Sequence, residues 1–455
     1  LLGSRDGINW TLVFKYSGAS FASQTFTVNA TQSYNYYRFV AGTLLTGYGT
    51  TNMYELIFYG TEESLCITND AKVGVGIANP QRSLEVAGDV VTGGTVSAGN
   101  PLMYRNRIIN GDMRIAQRGT SLNVTYGGNG ASRYYLIDRW TPQSSGGESA
   151  GAFTMIQDLD VPLGSGLANS CAITVTQAYI AVGWYRPFVQ FIEGYNTADF
   201  NWGTSYGTPA TLSFWWKTNT LGSYCVAIGA GSYYYVTSIT ATNSGVWQYY
   251  TITIPPPPNG AGLATGSGAS LNVVIGSYWT SQTGVLNSWN SGSVWSFSGA
   301  VNLYGNAGNY AKLTGVQLEK GTVATPFEVR PYATELALCQ RYYQVYNTSG
   351  GSGVAGILGI GSVNTSTSVI FAIPLRVDMR VAPTSMTSNA TVGSNYTVVQ
   401  AAGASSVTAI TLVVANSSSQ LAWVQTTSTS GLTAGGAATL FGGSVYGTLG
   451  FNAEL

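Results

Sequence analysis

Short runs of Val, Ile, Thr, Tyr and Phe, broken every few residues by Gly, Asn and Ser, fill almost the whole chain. Runs of that length with turn residues between them are what β-sandwiches and barrels are built from. In "TLSFWWKTNT", Leu212, Phe214 and Trp216 alternate with Ser213, Trp215 and Lys217, so a strand here buries one face. "VWQYYTITIPPPP" is a strand halted by four prolines, which have no N–H to give to a ladder. Helical spacing is nearly absent. Its clearest instance is "TELALCQRYY", where Thr334 is placed to cap and Leu336, Cys339 and Tyr343 fall on one face. The chain reads as all-β.

Its 455 residues suggest about three domains, each able to bury a core. Charged residues make up only 8% of the chain, against roughly 25% in ordinary soluble proteins. Ser, Thr, Asn, Gln and Tyr must therefore supply the polar surface. Aromatics at 12% argue against disorder. A formal net charge of +0 leaves no basic field for nucleic acid or anionic lipid. No apolar run is long enough to span a bilayer, so neither nucleic acid nor membrane insertion is expected. The sequence opens without an initiator Met and reads as a piece of a longer chain.

The chain has no histidine, which removes His-based triads, His metal ligands and His pH switches together. Cys66, Cys171, Cys225 and Cys339 are far apart and form no C-x-x-C pair. Buried free thiols from a reducing compartment are the expectation, with three disulfide connectivities left open. No cofactor or metal is expected. Glycoside hydrolysis usually needs two carboxyl groups facing one bond. No carboxylate lies between Asp199 and Glu319, or between Asp378 and Glu454. A non-enzymatic role is therefore expected.

Aromatic residues remain as binding groups. Sugars present C–H faces and hydroxyls, which Trp and Tyr rings beside Asn, Gln and Asp can hold without charge. Two stretches fit. "GWYRPFVQFIEGYNTADFNWG" carries Trp184, Tyr185, Tyr195, Asp199 and Trp202, and "SYWTSQTGVLNSWNSGSVW" carries Tyr278, Trp279, Trp289 and Trp295. Aromatics dominate sandwich interiors, so for any single Trp a core position is the stronger prior. The second stretch is the better site, because its polar, Gly-rich spacing reads as a long loop. "GSGVAG", Gly351 to Gly356, satisfies G-x-G-x-x-G, yet it follows no strong strand and opens no helix. It reads as a loop or a Gly-rich strand.

Three segments carry resemblances. "SRDGINWTLV", "YNYYRFVAG" and "MYELIFYG" resemble the second half of a discoidin-type, galactose-binding-like sandwich over residues 1–60, its first half missing. "AKVGVGIANPQRSLEVAGDVVTGGTVSAG" resembles the "vGIGt-x-nPs-x-xLdV-x-G" segment of viral and phage fibre necks, within 61–103. So small a segment cannot bury a core alone, and the resemblance implies a homotrimer with Leu84 and Val86 at its axis.

"YRNRIINGDMRIAQRGTS", "IDRW", "LSFWWKTN", "GVWQYYTITIP" and "LTGVQLEKGTVATPFEVRPYATELALCQRYYQVY" resemble, in order, a module of phage tail fibres and large-virus surface fibres. That resemblance implies a carbohydrate-binding-like jelly roll over 104–333, a short helical joint over 334–346 and a further β-domain over 347–455. "AIPLRVDMRVAPT" and "LGFNAEL" match the β-domain that often follows in such fibres. The implied architecture is tandem β-sandwich and jelly-roll domains joined by a short β neck, in a homotrimer.

Much of the scarce charge crowds into Gln317 to Tyr346 as Glu319, Lys320, Glu328, Arg330, Glu335 and Arg341. Alternating signs suit pairing at a structural joint where the chain leaves the jelly roll, with Arg107, Arg114 or Arg139 as candidate partners of Glu328. The expected protein is a virion surface fibre or spike, made in the host cytoplasm, that binds host glycans without catalysis. Its other expected partners are virion proteins, reached through the missing N-terminal region. The alternatives are a structural capsid or fibre component and, less favoured, a glycan depolymerase.

Overall fold

The computed structural model describes residues 2–4, 9, 11–12, 36–38, 65–67, 73–75 and 84–86, then 104–125, 132–145, 151–178, 184–347, 356–388, 395–401, 403–428, 431–442 and 447–455. The chain divides into two compact units, Leu1–Ser97 and Ala98–Leu455. In the first, β1 (Leu2–Ser4) lies between β2 (Thr11–Leu12) and β3 (Tyr36–Arg38). A second patch joins β4 (Leu65–Ile67), β5 (Val73–Val75) and β6 (Leu84–Val86), with β5 and β6 parallel. Their register sets Val73 beside Leu84 and Val75 beside Val86. Most of the discoidin-like stretches, and the rest of the neck-like segment, lie outside the described residues.

The second unit opens with two antiparallel sheets. The six-stranded one runs β16 (Gln248–Ile254), β13 (Ala210–Thr218), β19 (Tyr310–Lys320), β11 (Ser170–Gln177), β10 (Ala152–Asp158) and β7 (Ser121–Thr125). The seven-stranded one runs β18 (Ser288–Ser291), β15 (Tyr233–Ala241), β14 (Gly222–Ala230), β17 (Ala269–Trp279), β12 (Trp184–Glu193), β9 (Thr141–Ser145) and β8 (Ser132–Arg133). Period-2 alternation puts Phe153, Ile173, Phe214, Trp216 and Leu318 of the first sheet into one core with Phe188, Val226, Ile228, Val273 and Ile275 of the second. Phe188 meets Trp216 edge-on at 5.7 Å across that core. Fully burying side chains of this size is worth about 1.5–3 kcal/mol each.

The chain then forms a single α-helix among the described residues, α1 (Tyr332–Gln340), and turns into β20 (Tyr343–Asn347). Thr334 does not cap it. Pro331 holds the N-cap position with φ −54°, and Thr334 lies inside the helix. The fixed φ of proline suits a helix start, which outweighs the threonine signal. Leu336 and Cys339 pack against Ile109 and Ile115, whereas Tyr343 belongs to the strand.

The remaining strands are β21 (Ile357–Thr365), β22 (Ser368–Pro374), β23 (Ser385–Ser388), β24 (Tyr396–Gln400), β25 (Gly403–Leu412), β26 (Leu421–Ser428), β27 (Ala437–Gly442) and β28 (Thr448–Asn452). Six close a barrel in the order β21-β22-β26-β25-β24-β27. Closure leaves none of them an open edge, and Phe371, Val398, Val424 and Leu440 fill the interior. Of "GSGVAG" only Gly356 is described. Gly361, just beyond it, sits in β21 where a Cβ would come within 2.0 Å of the Ile370 carbonyl oxygen. The last strand, β28, pairs with β20 and β23, bringing the end of the sequence back to the helix.

Candidate functional site

The outer face of the seven-stranded sheet carries a second, smaller cluster, covered by the segment after β17. A bulge prepares it. Cys225 pairs with Ser277 but Val226 pairs with Ile275, so Gly276 is the extra residue, at φ 80°. A Cβ there would meet Trp216 at 2.9 Å and Pro187 at 3.0 Å, so only glycine fits. Past the bulge, Ser277 Oγ donates to the Trp295 carbonyl at 2.5 Å, and Cys225 Sγ reaches the same oxygen at 3.4 Å. The Trp279 N–H donates to Ser296 Oγ at 3.0 Å. These bonds lay Trp295 onto the sheet.

Three of the predicted tryptophans meet there. Trp279 stacks on Trp295 with centroids 4.9 Å apart, and Trp184 meets Trp295 edge-on at 5.3 Å. Trp184 and Trp279 are half-buried and Trp295 is buried. Tyr234 lies 5.5 Å from Trp295. The Arg186 guanidinium sits 4.5 Å from the Trp184 ring and 4.3 Å from Trp295.

The other predicted residues go elsewhere. Strand alternation turns Tyr185 away from Trp184 into the core, 1% exposed, where it stacks on Tyr278 at 5.7 Å. Trp202 is buried, donates to the Thr208 carbonyl and meets Trp289 edge-on at 5.7 Å. Trp289 packs on the main core and donates to the Pro255 carbonyl at 3.0 Å. Asp199 pairs with Arg107 at 2.8 Å. Arg186 and Tyr234 were missed by sequence reasoning. The alternation in "WYRPF" already put Arg186 on the face of Trp184.

Polar groups at this cluster are poorly matched. Arg186 is 8% exposed, and no carboxylate among the described residues pairs with it. Burial pulls its pKa down to about 10; the Tyr234 hydroxyl counters that and Arg133 adds to it. Among the described residues Arg186 Nε, Trp295 Nε1 and Gln143 Oε1 are buried without a hydrogen-bond partner. Gln143 lies directly opposite both Arg186 and Arg133 in the sheet. On the six-stranded sheet, Trp215 and Tyr249 also form a surface pair at 5.0 Å. On that sheet Lys312 holds Asp158 at 2.6 Å and Asp160 at 2.8 Å, and Lys217 holds Asp160 at 2.7 Å.

The charged stretch forms a buried network with other partners than expected. Glu328 accepts from the N–H groups of Tyr104 and Asn106 and pairs with Arg330 at 3.3 Å. Of its expected partners, Arg107 takes Asp199, Arg114 takes Asp112 at 3.0 Å, and Arg139 takes Glu454. Glu335 pairs with Arg330 at 3.3 Å, while Arg341 makes two bonds of 2.9 Å to Glu193. Glu319 has no ion pair among the described residues and accepts from Gln317 and from the N–H and hydroxyl of Thr325.

Asp138, within this network, is 1% exposed. Burial pushes its carboxyl up to about 6, against the opposing pull of Arg118. An unfolded aspartate ionises near 3.9. Asp138 therefore favours folding fully below about pH 4, and that contribution is lost as pH rises through 6. A shift of two units corresponds to about 3 kcal/mol. We expect Asp138→Asn to flatten the stability profile between about pH 4 and 6.5 relative to the parent. Urea midpoints at both pH values check this, and parallel profiles would refute it.

Cys171, Cys225 and Cys339 are free and buried, and burial pushes the Cys225 thiol up to about 12. Among the described residues no group of three or more Cys, Asp or Glu is placed to hold a metal ion. Nor is any helix among them long and apolar enough to cross a membrane. The sequence matches no protein-family model and no curated protein.

Proposed function

We propose that this chain is part of a non-enzymatic virion surface fibre that binds host-cell glycans through Trp184, Trp279 and Trp295. The observation that carries the reading is that cluster: three indoles, two of them half-buried, gathered on the outside of a sheet. Such rings take the C–H faces of sugars. The two sheets around one core suit the carbohydrate-binding-like jelly roll that the ordered motifs from Tyr104 to Tyr346 resemble. In the first unit, Val75 and Leu84 are 42% and 60% exposed in a row of apolar side chains that a homotrimer neck would cover. The β-domains then serve as carriers of this site.

Binding of the full chain to a glycan array, wild type against Trp279→Ala, tests this. Loss of one stacking ring should weaken binding by about 1–3 kcal/mol, by analogy with base–aromatic stacking. A folded Trp279→Ala with unchanged affinity would move the site elsewhere. Absence of glycan binding together with capture of other virion proteins would favour the structural role, and release of reducing ends would identify a depolymerase.

A further inference from the structure

We propose that the ligand of the Trp184–Trp279–Trp295 site is an acidic sugar, its carboxylate taken by Arg186; this rests on the glycan-binding reading above. Neutral sugar stacking accounts for the indoles but not for the guanidinium among them. Arg186 is 8% exposed, lies 4.5 and 4.3 Å from two indole rings, and has no carboxylate partner among the described residues. A buried charge is ordinarily paired, and a buried donor left unbonded is costly. The other buried guanidinium groups described in this unit each have a carboxylate: Arg139 pairs with Glu454, and Arg330 with Glu335 at 3.3 Å. Arg186 departs from that pattern at the site where the rings gather.

The unmatched atoms describe what is missing. Arg186 Nε and Trp295 Nε1 are donors without acceptors, and Gln143 Oε1 is an acceptor without a donor. Gln143 stands opposite Arg186 in the sheet, where side chains on one face lie about 5 Å apart. Arg133 follows in the same row and adds positive charge. A planar carboxylate matches the guanidinium fork, and a ring hydroxyl can donate to Gln143 Oε1. A sugar acid carries both groups on one ring whose C–H face can lie on an indole. A bare inorganic anion would satisfy the donors and leave Gln143 unmatched.

The test is titration of the full chain with matched pairs of glycans, ending in a uronate or sialate residue or in the same residue with its carboxyl reduced to an alcohol. The acid form is expected to bind about tenfold tighter or more, since bonds to charged groups are the strong ones. That advantage should shrink between about 50 and 300 mM salt. Arg186→Gln should erase the difference between the two forms, and Arg186→Lys should keep part of it. Equal binding of both forms by wild type, with Trp279→Ala still weakening both, would overturn the acidic ligand and leave the stacking site standing. Arg186 would then be packing between two indoles and nothing more. Binding of no member of any pair would overturn both readings. The wild-type comparison decides the matter even if Arg186→Gln does not fold.

Discussion

Glu454→Ala is expected to cost the second unit about 3–5 kcal/mol of stability, as breaking a buried ion pair usually does. Glu454 and Arg139 form an ion pair with side chains only 4% and 1% exposed. Burial alone would lower the pKa of Arg139, yet the Glu454 carboxylate holds it raised. Without Glu454, Arg139 keeps the Phe191 carbonyl and the face of Tyr342, 3.4 Å away, but no counter-charge. Arg118, 3.4 Å from the same carboxylate, loses a partner too. Asp378→Ala is the control, because Asp378 is exposed and receives a single bond, from Gln420 at 2.9 Å. An exposed contact is worth about 0–1 kcal/mol. The measurement is the urea midpoint of each variant at unchanged m-value. Equal midpoints would mean that Glu454 is solvated and that the network does not hold the unit together.

Leu84→Asp is expected to abolish the proposed trimer while leaving each chain folded. Leu84 is 60% exposed and its neighbour Val75 is 42% exposed, so the apolar row they form with Val73 and Val86 gains little within one chain. Three copies around an axis would remove it from water. An aspartate there would bring three carboxylates together at an effective cost of several kcal/mol per ion, more than so small an interface returns. Sedimentation or light scattering reads the mass directly. A trimer mass unchanged by Leu84→Asp would remove this row from any axis, and a monomeric parent would remove the fibre neck altogether.

Local pattern was legible in the sequence. Alternation along "TLSFWWKTNT" put Leu212, Phe214 and Trp216 on the buried face, and all three are fully buried. The prolines after Ile254 end β16 where expected. Strand, turn and face are properties of adjacent residues, because side chains alternate every residue along a β-strand whatever lies across from it. That was enough to determine an all-β chain. The same alternation in "WYRPF" separates Trp184 from Tyr185 and joins Arg186 to the aromatic face.

Partners were decided only by the tertiary structure. Arg139 and Glu454 are 315 residues apart, and they meet because β28 returns to pair with β20 beside the helix. Glu328 turned from the three expected arginines to two backbone N–H groups because the opening segment 104–106 lies along it. Trp295 joined Trp184 because a glycine bulge lets Ser277 hold its carbonyl. Which charge or ring meets which depends on strand order and on bulges that shift register by one residue, and neither is written in any short window of sequence.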